Sequence, residues 1–261
     1  MSRFYNLFNS EKPIIGMIHL PPLPDYDGSP GMDAIIRSAL NDLKILEENG
    51  VDGALIENEY DQPHRVKATS ETISAMTDVT KAVVEASRNC AIGVEILLND
   101  PKASLDVAKA AGAQFIRTDY FVDPMSRPEY GEFDIDPVGI INHRQNIGAD
   151  HILVMADIQV KYAKMLRERT MDQSASLAEE NLADVVIVSG RETGDAPVTD
   201  DLDAARFGCN IPVIIGSGTD ASNAIDLLSH CDGAIVGTAL MKDKIVNTEN
   251  TRALMSALGR I

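Results

Sequence analysis

The chain has 261 residues, close to the ~250 typical of one β/α barrel, with 44% hydrophobic residues, no Trp and a formal net charge of −17. That acidity excludes nonspecific binding of nucleic acid and attraction to anionic lipid, which both need basic surface, and it means that an anionic ligand must be held by local groups. Cys90, Cys209 and Cys231 are scattered and indicate neither a disulfide framework nor a zinc ribbon, and no run approaches the ~18 apolar residues of a transmembrane helix, so a reducing, cytoplasmic setting is expected.

In chain order, residues 1–12 carry Phe4-Tyr-Asn-Leu-Phe8, expected to plug the N-terminal end of a barrel. Short β-branched runs follow at Pro13–Leu20, Gly53–Asn58, Ala91–Leu98, Phe115–Tyr120, His151–Ile158, Asp184–Gly190, Pro212–Ser217 and Gly233–Thr238, each too short for a typical helix. Amphipathic helical patterns separate them. Met32–Asn49 places Ile35, Ile36, Leu40, Leu43 and Leu46 on one face before a stop at Gly50, and Glu71–Arg88 repeats the design. Pro21–Pro30 reads as a long loop over the mouth. Alternation of this kind predicts a parallel sheet with crossover helices, and about eight repeats predict one (β/α)8 barrel over residues 1–261. An open doubly wound sheet is the alternative, because one missed strand changes the count.

The predicted strands end in polar side chains: His19, Glu57, Glu95, Arg117 with Asp119, Asp157, Ser189, Ser217 and Thr238. Titratable groups gathered at one end of an apolar barrel lose solvent and set one another's pKa values, which separates acid from base roles. Asp157, after the apolar Ile152-Leu-Val-Met-Ala156, is the leading catalytic candidate with Glu57. Lys161 follows at i+4, read as the first turn of a helix, where a cation opposes the macrodipole unless it pairs with Asp157 or with a ligand anion. Arg117 is expected to pair with Asp119 or Glu95 or to reach a substrate phosphate. Glu95 could join Glu57 and Asp157 in holding Mg²⁺ or a similar hard cation, although oxygen ligands scattered over strands have no strict spacing. His19, Asn58, Asp61, and Arg191, Thr193 and Gly194 of the loop after strand 6 are the candidate substrate contacts, whereas His64 reads as a loop residue.

The last two strands end in Gly216-Ser-Gly218 and Gly237-Thr238. In β/α barrels the loops after strands 7 and 8 commonly bind phosphate through backbone N–H groups, so Ser217, Gly218, Gly237 and Thr238 are assigned a phosphate. The competing reading is two tight turns with Ser217 and Thr238 as helix caps.

Gly16-Met-Ile-His-Leu-Pro, Glu57-Asn-Glu-Tyr-Asp-Gln-Pro63, Leu98-Asn-Asp100, Phe115-Ile-Arg117, Ala156-Asp157 with Lys161, Val188-Ser-Gly190 with Thr193-Gly194, Gly216-Ser-Gly218 with Asn223, and Asp232-Gly-Ala-Ile-Val-Gly237 together resemble the BtpA/SgcQ family over nearly the whole chain. The resemblance implies a barrel with a phosphate-site ending similar to those of phosphosugar and histidine- or tryptophan-pathway barrels. Glu95 departs from the pattern, where an amide is expected in many relatives. Two functions follow as expectations. One is a cytoplasmic enzyme acting on a small phosphorylated sugar or nucleoside-like metabolite, as an isomerase, epimerase, lyase or glycosidase, with no organic cofactor and with homo-oligomerisation left open. The other, from the half of the family name linked to photosystem I biogenesis, is a noncatalytic stability factor for a membrane complex.

Overall fold

A computed structural model describes residues 3–8, 10–190 and 194–261. Eight parallel strands close into a barrel in sequential order: β1 (Ile14–His19), β2 (Gly53–Glu57), β3 (Ala91–Glu95), β4 (Phe115–Thr118), β5 (Leu153–Ile158), β6 (Val185–Val188), β7 (Val213–Ile215) and β8 (Ala234–Val236), with β8 pairing back to β1. Each strand coincides with a predicted run, and closure rules out the open sheet.

Side chains alternate between the two faces of each strand. Ile15 and Met17, Leu55, Ala91, Phe115, Leu153 and Met155, Val185 and Ile187, Ile214 and Ile235 fill the barrel interior, and Phe4 and Phe8 pack against them from the N-terminal segment. Phe8 approaches Phe115 with ring centroids 6.1 Å apart. Gly93 is required here because a Cβ on it would fall 2.1 Å from the Phe115 ring. The alternate residues, among them Ile18, Ile56, Val94, Ile116, Val154 and Val186, face the helices.

The sequence terminates its helices as expected. The first long helix runs Met32–Glu48, and the second, Ser70–Ala86, begins at Thr69, whose side chain accepts the Thr72 N–H. Asp100 and Asp136 cap Pro101–Ala111 and Pro137–Asn146 in the same way, each followed by Pro at the first turn. Two regions depart from the predicted alternation. Met125–Arg127, Gly131–Glu132 and Lys164–Met165 form a small antiparallel sheet that straps together the loops after β4 and β5. Lys161 therefore lies in a turn before this strap rather than in a helix, which begins only at Met171. After β8 the chain makes a single 3-10 turn, Thr238–Leu240, instead of entering an α-helix.

Candidate active site

Extending the inward alternation by two residues turns the apolar interior into a polar floor: Met17 leads to His19, Leu55 to Glu57, Gly93 to Glu95, Phe115 to Arg117 and Met155 to Asp157. Register places them side by side. His19 pairs with Glu57 and Glu57 with Glu95 across β1, β2 and β3. His19 Nε2 lies 3.5 Å from Glu57 Oε2.

Arg117 anchors the other half of the floor. Its Nε donates to Asp157 Oδ2 at 2.8 Å and its Nη2 to Asp157 Oδ1 at 3.0 Å, while Glu95 Oε2 stands 3.7 Å from Nε. Ser189 Oγ donates to Asp157 Oδ1 at 2.9 Å. Arg117 thus takes Asp157 as its main partner, with Glu95 in a subordinate place. No ion pair joins Lys161 to Asp157 among the described residues. Gly216 makes this arrangement fit: a Cβ there would fall 2.4 Å from Ser189 Oγ and 3.2 Å from Arg117 Nη2.

These groups titrate one another. Burial raises Glu95, and Asp119 adds to it against the opposing charge of Arg117, so Glu95 stands well above the ordinary carboxylate range. Glu95 Oε2 is buried without a hydrogen-bond partner among the described residues. Burial also acts to raise Glu57, but Glu95, His19, Arg117 and Lys161 outweigh it and hold Glu57 below its usual value. The floor accordingly pushes two carboxyls on adjacent strands in opposite directions, Glu95 up and Glu57 down. Burial lowers His19 despite the pull of Glu57, leaving a neutral imidazole. Asp119 is pushed up to about 7 by burial and by Asp157, and Glu59 up to about 7 by burial and by Glu57.

Above this floor lies a cavity of about 400 Å³. Its walls come from His19, Glu57 and Glu59 on one side, Arg117, Asp119, Arg127, Lys161 and Tyr162 on another, and Gly194, Gly216, Ser217, Gly218, Gly237 and Thr238 on a third. The two glycine turns and the titratable cluster therefore share one space. Gly218 has a φ of +74°, and a Cβ on it would fall 2.0 Å from Ala196 N, so no side chain fits at this turn. Asn223 Nδ2 donates to the Gly218 carbonyl at 2.9 Å. Because the peptide is planar and trans, the Thr219 N–H of the same unit points to the opposite side. The N–H groups of Gly218 and Thr219 have no acceptor among the described residues.

Other predicted residues serve the scaffold. The Ser217 hydroxyl accepts from Gly190 N and donates to the Asp195 carbonyl, both at 3.0 Å, latching the loop after β6 to the β7 turn. Asn58 braces the loop after β3 by accepting the Leu97 N–H at 2.8 Å and donates to Asp61 Oδ2 at 2.9 Å. Asp61 in turn accepts the Leu23 N–H. Neither Asn58 nor Asp61 lines the cavity, and the Pro21–Pro30 loop packs beside the β2 loop rather than over the mouth, with Arg65 bonded to Asp25. Glu95 and Asp157, 2% and 1% exposed, lie behind the cavity wall. Arg191 and Thr193 fall outside the described residues. As for metal, no group of three or more His, Cys, Asp or Glu among the described residues is arranged to hold an ion. Sequence reasoning missed Arg127, Tyr130 and Tyr162, which the strap delivers, and treated His64, another lining residue, as loop only.

The family model for the BtpA family matches residues 10–259. The chain belongs to this family. It is 33% identical to an uncharacterized protein of Archaeoglobus fulgidus, over 95% of this chain and 98% of the relative. It is 30% identical to the photosystem I biogenesis protein BtpA of Synechocystis, over 93% and 85% of the two chains. The putative sgc region protein SgcQ of Escherichia coli is 31% identical over 94% and 92%. Among solved structures, thiamine phosphate pyrophosphorylase of Pyrococcus furiosus superposes with a TM-score of 0.60 at 16% identity, over 95% of this chain and 96% of that one. N-(5'-phosphoribosyl)anthranilate isomerase of the same organism also gives 0.60, at 14% identity and over 96% and 100%. At such identity these two report the barrel fold alone. No helix of the described residues is long and apolar enough to cross a membrane.

Proposed function

We propose that this BtpA-family barrel is an enzyme that binds a phosphorylated sugar or nucleoside-like metabolite and works on it by proton transfer. The observation that carries this reading is the shared cavity, in which residues of the Gly218 turn and the start of the Thr238 turn line the same space as Glu57, Asp119 and Lys161. The first N–H groups of a helical turn have no acceptor within it, and together with the Gly218 N–H they suit a phosphate. Glu57, held ionised, would serve as the base. Asp119 and Glu59, raised to about 7, can give or take a proton near neutrality, and Lys161 would stabilise negative charge that develops on substrate oxygen. That inventory suits isomerisation, epimerisation, or cleavage of a carbon–carbon or glycosidic bond. A divalent ion such as Mg²⁺ is no part of the scheme.

Thr238 is exposed, so Thr238→Glu places a carboxylate at the turn without disturbing the core. The wild-type protein should gain stability in millimolar inorganic phosphate or sugar phosphate, by about 1.4 kcal/mol at a ligand concentration ten times Kd. The variant should gain little or none. Equal stabilisation of both proteins would refute the phosphate site. The rival reading, a noncatalytic assembly factor, rests on the name of the Synechocystis relative; it predicts that no small phosphate ester stabilises the protein at all.

A further inference from the structure

We propose that the ligand of this cavity carries a second oxyanion at the end remote from its phosphate, and that Arg127, with Lys161 beside it, receives that group. The inference rests on the phosphate reading for the location of the first anion. Arg127 belongs to the strap after β4, and in a closed ring of eight strands β4 stands four places from β8 in either direction. Arg127 and the Thr238 turn therefore face one another across the mouth, and both line the cavity.

Arg127 is held ready but unfilled. Its guanidinium lies 5.6 Å from the ring centroids of both Tyr130 and Tyr162. Among the described residues its Nε is buried without a hydrogen-bond partner, and the one carboxylate within ion-pair distance, Glu129, is 3.9 Å away and 65% exposed. The buried Tyr120 hydroxyl stands beside it, and Arg127 acts to lower a Tyr120 pKa that burial raises. A buried donor left unmade costs free energy, and a planar guanidinium fork matches a carboxylate or a phosphate. Lys161, from the loop after β5, has no carboxylate within ion-pair distance among the described residues. Arg117, the third cation of the cavity, is already engaged by Asp157. Two cations with open valence on the wall across from the glycine turns select a ligand charged at both ends.

The test compares glucitol 6-phosphate, 6-phosphogluconate and fructose 1,6-bisphosphate as probes, with calorimetric Kd values for the wild type, Arg127→Gln and Lys161→Gln. The two doubly charged probes should bind the wild type at least tenfold more tightly than glucitol 6-phosphate. That ratio should fall towards one in Arg127→Gln, with glucitol 6-phosphate affinity unchanged within twofold, and it should shrink in Lys161→Gln. A preference confined to 6-phosphogluconate identifies the second group as a carboxylate, and one confined to the bisphosphate identifies it as a phosphate. A ratio unchanged in both variants, or no preference in the wild type, overturns the proposal. If gluconate, added as a fourth probe, binds in an Arg127-dependent manner and no probe is sensitive to Thr238→Glu, the phosphate reading fails and the Arg127 site stands.

Discussion

Replacing Glu95 by Gln tests the electrostatic organisation of the barrel floor. Two carboxylates compete for Arg117, and distance decides between them: Asp157 bonds it twice, at 2.8 and 3.0 Å, whereas Glu95 stands 3.7 Å away. Glu95 is therefore the one that keeps its proton, and Gln is a near isostere of a protonated Glu. Its folded pKa lies above the ordinary value of 4.5, so between those two pH values the native state binds one more proton than the unfolded chain. Stability contributed by Glu95 is then fully present below 4.5 and is lost as pH rises towards the folded pKa. Gln has no such dependence. Over that window the stability of Glu95→Gln minus that of wild type should climb by about 1.4 kcal/mol per pH unit, and it should be flat below the window. Urea denaturation from pH 4 to pH 8 in half-unit steps measures it. An ionised Glu95 paired with Arg117 would give the opposite result, a loss on the order of 3–5 kcal/mol at neutral pH, as for any broken buried pair. Parallel curves for the two proteins, or a variant that weakens as pH rises, would refute the assignment.

Asp157→Asn removes the main counter-ion of a buried guanidinium and should cost about 3–5 kcal/mol in chemical denaturation, less whatever Glu95 restores by releasing its proton. The double variant with Glu95→Gln should then lose more than the sum of the two single changes, and additivity within 0.5 kcal/mol, the usual figure for independent sites, would show that Glu95 is no reserve partner. Sulfate does not titrate near neutrality, so its affinity should fall roughly tenfold from pH 6 to pH 8 as Asp119 and Glu59 ionise through about 7, at an order of 1 kcal/mol for each new nearby charge. Calorimetry on the wild type and Asp119→Asn checks this, and a flat wild-type profile counts against it.

The barrel was legible because its signal is local. Each strand is a β-branched run of fixed period, each turn carries its own Gly or polar residue, and the helices bear their caps in sequence, so the alternation could be counted without knowing what touched what. The polar floor was legible for the same reason, since it continues an inward period of two from Leu55 to Glu57 and from Met155 to Asp157. What sequence could not supply was pairing. Arg117 has carboxylates at Glu95, Asp119 and Asp157, and only barrel closure and register decide that Asp157, on the next strand, takes both of its bonds. Lys161 illustrates the converse error: an i+4 spacing was read as a helical turn, but the chain there turns into a two-residue strand too short to leave a periodic pattern. Arg127 was missed on the same account, because the strap consists of strands of two or three residues joined across distant segments.

A net charge of −17 is compatible with an anion site because charge acts locally in a screened solvent. At physiological ionic strength the Debye length is about 8 Å, so carboxylates on the outer helices contribute little at the mouth. What an anion meets there is set by its own walls. Arg117 is balanced by Asp157, Glu95 is kept neutral by burial, and Asp119 and Glu59 are raised to about 7, which removes much of the acidity that a residue count implies. Among the described residues, Arg127, Lys161 and the Gly218 N–H then stand as donors without full partners around the same space. The acidic groups are not idle in such a site: their raised pKa values depend on one another, so an anion that draws closer raises them further and by the same linkage is bound more tightly when they are protonated. Proton uptake on binding is thus an expected outcome of the proposed site, and it would tie recognition of the charged ends to the protonation of the groups that would act between them.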